Sequence, residues 1–186
     1  MRKINRKGLI DVAMGRVDAD LVLHHAKILN VYSGEILKGE VWIKDGFIAH
    51  VHYHENKEAI GQAKDYLDCE GAYLMPGLID AHVHIESSML SPRRFAEIVL
   101  PWGTTSVISD PHEIANVYGV RGVAYMHESA LDLPMRIFIH VPSCVPSVVG
   151  LENAGATFTA IEIEELYALP NVLGLAEVMD YIGIIN

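Results

Sequence analysis

Residues 76–88, Pro-Gly-Leu-Ile-Asp-Ala-His-Val-His-Ile-Glu-Ser-Ser, constrain this chain more than any other stretch. Pro76-Gly77 is a turn signal, and it releases a run in which Ile79, Ala81, Val83 and Ile85 alternate with Leu78, Asp80, His82 and His84. A period of two predicts a strand. Side chains alternate along a strand, so His82 and His84 share a face, one pleat apart at its end. Two imidazoles spaced in this way can share a metal ion, and a metal there can activate water. A chance pair in a core strand is the competing explanation. A strand face that turns polar toward its end favours the site.

Upstream, residues 18–53 read as short strands with tight turns. Residues 20–23 and 26–32 are two apolar runs, with Ser33-Gly34-Glu35 as a turn after the second. Residues 40–44 and 47–51 flank Asp45-Gly46, a strong hairpin signal. Residues 1–75 are therefore assigned to a small all-β segment. Beyond residue 76 the rhythm becomes strand, loop, helix. Ser91-Pro92 opens a helix to about residue 100, as N-cap and first helical position. A strand over 104–109 closes in Asp110-Pro111-His112-Glu113, and a helix over about 120–130 precedes a strand at 136–141. Thr159 is the N-cap of a further helix, with Glu162 three residues on as in a capping box. The last strand covers 172–177. Strands alternating with helices predict right-handed βαβ units and a parallel sheet, an α/β fold. The polar ends of these strands are His82/His84, residues 110–113, His140 and Glu177. All are C-terminal ends, the face that carries the active site in a (β/α) barrel.

Composition narrows the partners. The net charge of -10 argues against nucleic acid, which needs a basic face. No apolar run reaches the ~20 residues of a membrane span, and no apolar core and cleavage site follow the basic N-terminus. Only Cys69 and Cys144 occur, outside any Cys-x-x-Cys pattern, which points to a reducing, cytoplasmic setting. A hydrophobic fraction of 51% and mean hydropathy of +0.23 fit buried strands.

These residues resemble the amidohydrolase superfamily, whose entry motif is a strand ending in His-x-His after a Pro-Gly-Leu-Ile-Asp turn, and within it the adenine deaminase family. The second likeness runs through residues 82–89, 103–105, 109–116 and 174–180. It implies a β-sandwich, formed largely by the N-terminal segment, packed on a metal-dependent (β/α)8 barrel. Residues 76–186 would be the first half of that barrel, about four βα units, and the rest of the sandwich would come from a later part of the chain. His82 and His84 would hold one of two divalent metals, Mn2+ or Fe2+, and Glu177 would bridge the pair. The implied reaction is hydrolytic deamination of adenine to hypoxanthine and ammonia by a metal-activated hydroxide, in an enzyme that is a homo-oligomer when full length. A closed barrel takes ~250 residues, and residues 78–186 provide four of its eight strands. The family's later metal-binding histidines and its general-base aspartate have no counterpart here. The chain is thus expected to be the N-terminal portion of a longer enzyme and inactive alone.

Several residues carry more modest expectations. Leu173, Leu175 and Glu177 share a face if the strand is regular, which would aim Glu177 inward. Asp80 lies one pleat below His82 and is placed to hydrogen-bond a ligand. Asp110, His112 and Glu113 either line the pocket or cap the loop and next helix, with direct ligation the lesser option. Glu86 and Ser88 lie in the loop after the ligands, where substrate contact is open. His140 is a candidate for pocket lining. His50, His52 and His54 read as a solvated strand edge, His127 as surface, and His24 and His25 as facing opposite ways. Two other functions compete. One is a related amidohydrolase such as an N-acetyl amino sugar deacetylase. The other is a non-catalytic remnant or scaffolding subunit.

Overall fold

The computed structural model describes residues 3–54 and 61–185. The chain divides into two compact units, Met1–Pro76 and Gly77–Asn186. Among the described residues no helix is long and apolar enough to cross a membrane.

Among its described residues, the first unit is one five-stranded sheet with a helix. Helix α1 (Arg6–Ala13) was not foreseen in what read as a basic tail; Asn5 caps it, its side chain accepting from the Gly8 N–H at 3.1 Å. Strands β1 (Ala19–Leu29), β2 (Ile36–Lys44), β3 (Phe47–Tyr53) and β4 (Ala63–Asp68) lie in the order β3-β2-β1-β4, and β5 (Tyr73–Leu74) pairs with β1. The β1–β2–β3 meander is antiparallel, whereas β4 and β5 run parallel to β1. The Asp45-Gly46 hairpin forms as predicted, with φ of 54° and 79°, the signs a type I′ turn demands. Val12, Ala19, Val22 and Trp42 make one apolar cluster, and Ala26, Ile28 and Val41 another.

Three expectations fail in this unit. The runs at 20–23 and 26–32 are not separate strands but one eleven-residue β1, whose register against β2 shifts between Leu23 and Ala26. His25 sits in that bulge at φ 53°, which resets the alternation. His24 and His25 therefore do not diverge: their ring centroids are 4.4 Å apart. On β3, His52 is not solvated but 9% exposed, flanked by the rings of His50 at 6.0 Å and His54 at 6.3 Å.

The second unit alternates strand and helix throughout. Strands β6 (Leu78–Val83), β7 (Thr104–Ser109), β8 (Arg136–Val141) and β9 (Val172–Leu175) form a wholly parallel sheet in sequence order. Helices α2 (Pro92–Val99), α3 (His112–Ser129), α4 (Ala160–Tyr167) and α5 (Tyr181–Ile185) follow the strands. The apolar core joins Val107, Ile137, Ile139 and Val141 of the sheet to Phe95, Ala96, Ala115, Val123, Met126 and Leu166 of the helices. Each large aliphatic buried there contributes about 1.5–3 kcal/mol. Gly77 sets the start of β6, since a Cβ at that position would come 2.1 Å from Thr105 Oγ1 on β7.

Helix α3 begins at His112, eight residues before the predicted start, and is kinked at Gly119 (φ 63°, ψ −147°). The two segments on either side of the kink have separate phases, so one apolar period does not span both. Beyond the kink, His127 is buried rather than at the surface, and its Nε2–H donates to the Pro170 carbonyl at 2.6 Å. Among the described residues strand β6 pairs with β7 alone, and Leu78 and Ile79 are 52% and 68% exposed.

Candidate metal centre

The C-terminal ends of β6, β7 and β9 bring four ligand-type side chains together. His82 is on β6 and His84 follows directly in extended conformation (φ −96°, ψ 97°). Their Nε2 atoms are 3.0 Å apart, with the rings edge-on at 4.9 Å. Asp110 follows β7, where its N–H donates to the Val83 carbonyl at 2.9 Å. Its Oδ2 lies 4.0 Å from His82 Nε2. Glu177 Oε1 lies 3.4 Å from His84 Nε2 and 4.0 Å from His82 Nε2. The ligand atoms of His82, His84, Asp110 and Glu177 all fall within 4.8 Å of one another.

A divalent cation fits this arrangement on physical grounds. Asp110 is fully buried, and its Oδ2 has no hydrogen-bond partner. An unsatisfied buried carboxylate oxygen costs at least about 1–3 kcal/mol, which a cation offsets. Two imidazole nitrogens converging on one carboxylate-lined point would also compete for a single proton. Two nitrogens and two carboxylate oxygens form a donor set suited to zinc, iron or manganese.

Carboxylates behind the cluster fix its geometry. Glu113, in the first turn of α3, accepts from His84 Nδ1 at 3.1 Å and from the Ser87 hydroxyl at 2.9 Å. With Nδ1 carrying the proton, His84 presents a bare Nε2 to the centre. His112 is buried, with its Nδ1 against Asp110 Oδ1. Burial alone would lower the His112 pKa, but the Asp110 carboxylate outweighs it and the net direction is upward.

The other predicted residues fall outside the cluster. Asp80 does not hydrogen-bond a ligand ring; its Oδ1 accepts from the His82 backbone N–H at 3.2 Å, because a short side chain on a strand reaches its own backbone first. Glu86 accepts from the Ile114 N–H at 3.3 Å while its other oxygen is buried without a partner, and burial raises its pKa. Ser88 donates to the Ile85 carbonyl at 2.6 Å, so its hydroxyl is committed to the turn that follows His84. His140 is half-buried on β8, alternating with the core residues Ile139 and Val141, and is not one of the convergent ligands.

Glu177 lies two residues past the end of β9 at Leu175, and the register of β9 against β8 shifts between Ile139 and His140. Leu173, Leu175 and Glu177 are exposed, alternating with the more buried Val172, Gly174 and Ala176. The segment is held by the Ala176 N–H on the Val141 carbonyl at 2.8 Å. The Ser143 hydroxyl completes the hold on the Glu177 carbonyl at 2.6 Å. Sequence reasoning missed Ser143 and its neighbour Cys144; the available signal was a Ser-Cys pair between prolines at the end of a strand. Cys144 Sγ accepts from the Met179 N–H at 3.5 Å. Burial would raise this thiol, but the Met179 N–H, the Ser143 hydroxyl and His112 together lower it.

The sequence matches the Amidohydrolase family over residues 73–178, more than half of the chain. The chain belongs to the amidohydrolase family. Among relatives of this amidohydrolase, "Adenine deaminase 3" of Rhizobium meliloti is 49% identical over 177 residues, covering 95% of this chain and 30% of that protein. "Adenine deaminase 2" of Carboxydothermus hydrogenoformans is 47% identical over 180 residues, covering 97% and 30%. The chain thus spans about 30% of the length of these relatives. Among solved structures, atrazine chlorohydrolase TrzN from Arthrobacter aurescens TC1, complexed with zinc, superposes with a TM-score of 0.57 at 15% identity, over 83% of this chain and 46% of that one. L-hydantoinase (dihydropyrimidinase) from Arthrobacter aurescens gives 0.53 at 19% identity, over 80% and 38%. At these identities the likeness establishes the fold: the amidohydrolase α/β barrel, of which this chain carries four strands.

Proposed function

We propose that this amidohydrolase chain contributes the first metal-binding half of an adenine deaminase, which converts adenine and water to hypoxanthine and ammonia. The observation that carries the reading is the convergence of His82, His84, Asp110 and Glu177 on one point, in a chain 44–49% identical to proteins named adenine deaminase. In this reading His82 and His84 would hold one ion of a divalent Mn2+ or Fe2+ pair, and Glu177 would supply a carboxylate to it. When bound, such ions lower the pKa of water and offset charge that develops as water adds to a carbon.

The chain's own side chains do the rest. Glu113 keeps the proton of His84 on Nδ1 and its Nε2 aimed inward. Asp110 and Glu177 supply negative charge beside the two imidazoles, and His112 holds Asp110 from the far side. Ser143 fixes the backbone from which Glu177 projects. Asp80, Glu86 and Ser88 support the turn around His82 and His84 in place of touching adenine. In this reading the cluster supplies metal binding, and none of the described residues is assigned the general base. The complete enzyme is read as a cytoplasmic homo-oligomer acting on a small purine base.

Mixing this chain with a second chain carrying the later barrel strands, in the presence of Mn2+, and following adenine by ultraviolet absorbance tests the reading. Loss of adenine only when both chains are present is expected. No adenine loss, with hydrolysis of an N-acetyl amino sugar instead, would move the assignment to a deacetylase. No turnover of either would leave the chain a scaffold and overturn the reading.

A further inference from the structure

We propose that His24, His25 and Asp68 form a separate transition-metal site in the first unit, which takes a borderline divalent cation of the Zn2+ or Cu2+ type. Strands β1 and β4 run parallel with His24 directly opposite Asp68, so these two side chains project from the same place on the sheet. In a regular strand His25 would point the other way. The bulge at Leu23/Ala26, with His25 at φ 53°, turns its ring back onto the same side instead.

The three side chains are held by a paired backbone rather than by a loop. The His24 carbonyl accepts from the Cys69 N–H at 2.9 Å, and the His25 carbonyl accepts from the Gly71 N–H at 2.8 Å. Asp68 Oδ1 accepts from the Glu70 N–H at 2.8 Å, which leaves Oδ2 facing His25 Nδ1 at 3.0 Å. The Tyr66 ring borders His24, their centroids 6.1 Å apart and their planes steeply inclined.

One ligand atom from each residue lies within 4.8 Å of the other two. A cation bound at about 2.0–2.1 Å from each nitrogen needs those atoms roughly 3.3 Å apart, a closure that side-chain rotations of exposed rings supply. Two imidazoles and one carboxylate select zinc or copper over magnesium and calcium, which prefer all-oxygen shells. His25 and Asp68 are 63% and 47% exposed, so water has access to the remaining coordination positions. The competing description of the same contacts is an ordinary surface pair between His25 and Asp68.

The test separates this site from the other centre by substitution. In the whole chain bearing His82→Asn and His84→Asn, titration calorimetry with ZnCl2 is expected to find one zinc per chain. Cu2+ added to the same protein should show electron-paramagnetic hyperfine coupling to two imidazole nitrogens. Further substitution of His24→Asn with Asp68→Asn should remove the bound zinc, and the single change His25→Gln should weaken it at least tenfold. Circular dichroism checks that each variant keeps its strands, and the exposed single variant guards against misfolding of the double one. Zinc binding unchanged by all three substitutions, or no zinc in the His82/His84 variant, would overturn the proposal.

Discussion

Glu113 decides which nitrogen of His84 faces the candidate metal centre. Its carboxylate accepts a hydrogen bond from His84 Nδ1 at 3.1 Å and is itself steadied by the Ser87 hydroxyl. Replacing such a partner leaves the ligand in place but frees its tautomer and ring orientation. Glu113→Gln is therefore expected to weaken Mn2+ or Zn2+ binding about 10–100-fold without changing stoichiometry, read by competition with a chelator; unchanged affinity would refute the role. Asp110 differs because its Oδ2 is buried without a partner. Asp110→Asn removes the charge that a cation neutralises, so the rise in thermal midpoint on adding metal should disappear, as scanning calorimetry with and without metal would record. His82, His84 and Glu177 stand out in the sequence by residue type and strand-end position, and their ligand atoms lie together in the structure. That Asp110 joins them was the lesser option in the sequence, since its reach toward His82 depends on the β6–β7 register that seats its N–H on the Val83 carbonyl. The same limit hid the approach of His24 to His25, which one left-handed residue creates.

Elements with a strong local signal were the ones read correctly. Helix α4 starts where Thr159 and Glu162 predict, with Glu162 Oε2 accepting from the Thr159 N–H at 2.6 Å and hydroxyl at 2.5 Å. Thr159→Ala should cost about 1 kcal/mol of stability, measured by urea unfolding at neutral pH. These bonds, the Thr159 hydroxyl first, hold Glu162 below its ordinary value of 4.5. A depressed carboxyl stabilises the fold above the unfolded pKa and loses that contribution as pH falls through the folded one. The gap between wild type and Thr159→Ala should accordingly narrow in acid below that range; a gap that widens there would contradict the capping box. Helix α3 was misplaced for a physical reason. The predicted start near residue 120 falls at the Gly119 kink, whereas the helix already runs from His112. Gly77 carries information of another kind, because Thr105 stands where its Cβ would be. Gly77→Ala should destabilise the second unit by roughly 1–3 kcal/mol through overpacking. Because it moves the start of β6, it should also weaken metal binding at His82, a joint loss that titration of the folded variant would detect.

At the scale of the whole molecule, the four-stranded parallel sheet is the feature with the largest physical consequence. Strands β6 and β9 each pair on one side only among the described residues, and Leu78, Ile79, Leu173 and Leu175 are 52%, 68%, 54% and 46% exposed. An eight-stranded barrel closes on itself and has no edge. An open sheet with apolar ends offers unpaired N–H and C=O groups beside apolar side chains, a template for further strand addition. The four strands read in the sequence, half of a closed barrel, already imply two open ends, and the structure adds which side chains stand at them. The chain alone should therefore self-associate as its concentration rises. Ile79→Lys with Leu173→Lys places a charge at each open end and should shift the sedimentation profile toward monomer. If the double variant sediments like the wild type, association runs through another surface. If a chain carrying the later barrel strands lowers the association of the wild type as effectively as the lysines do, the open edges are the positions that those strands occupy.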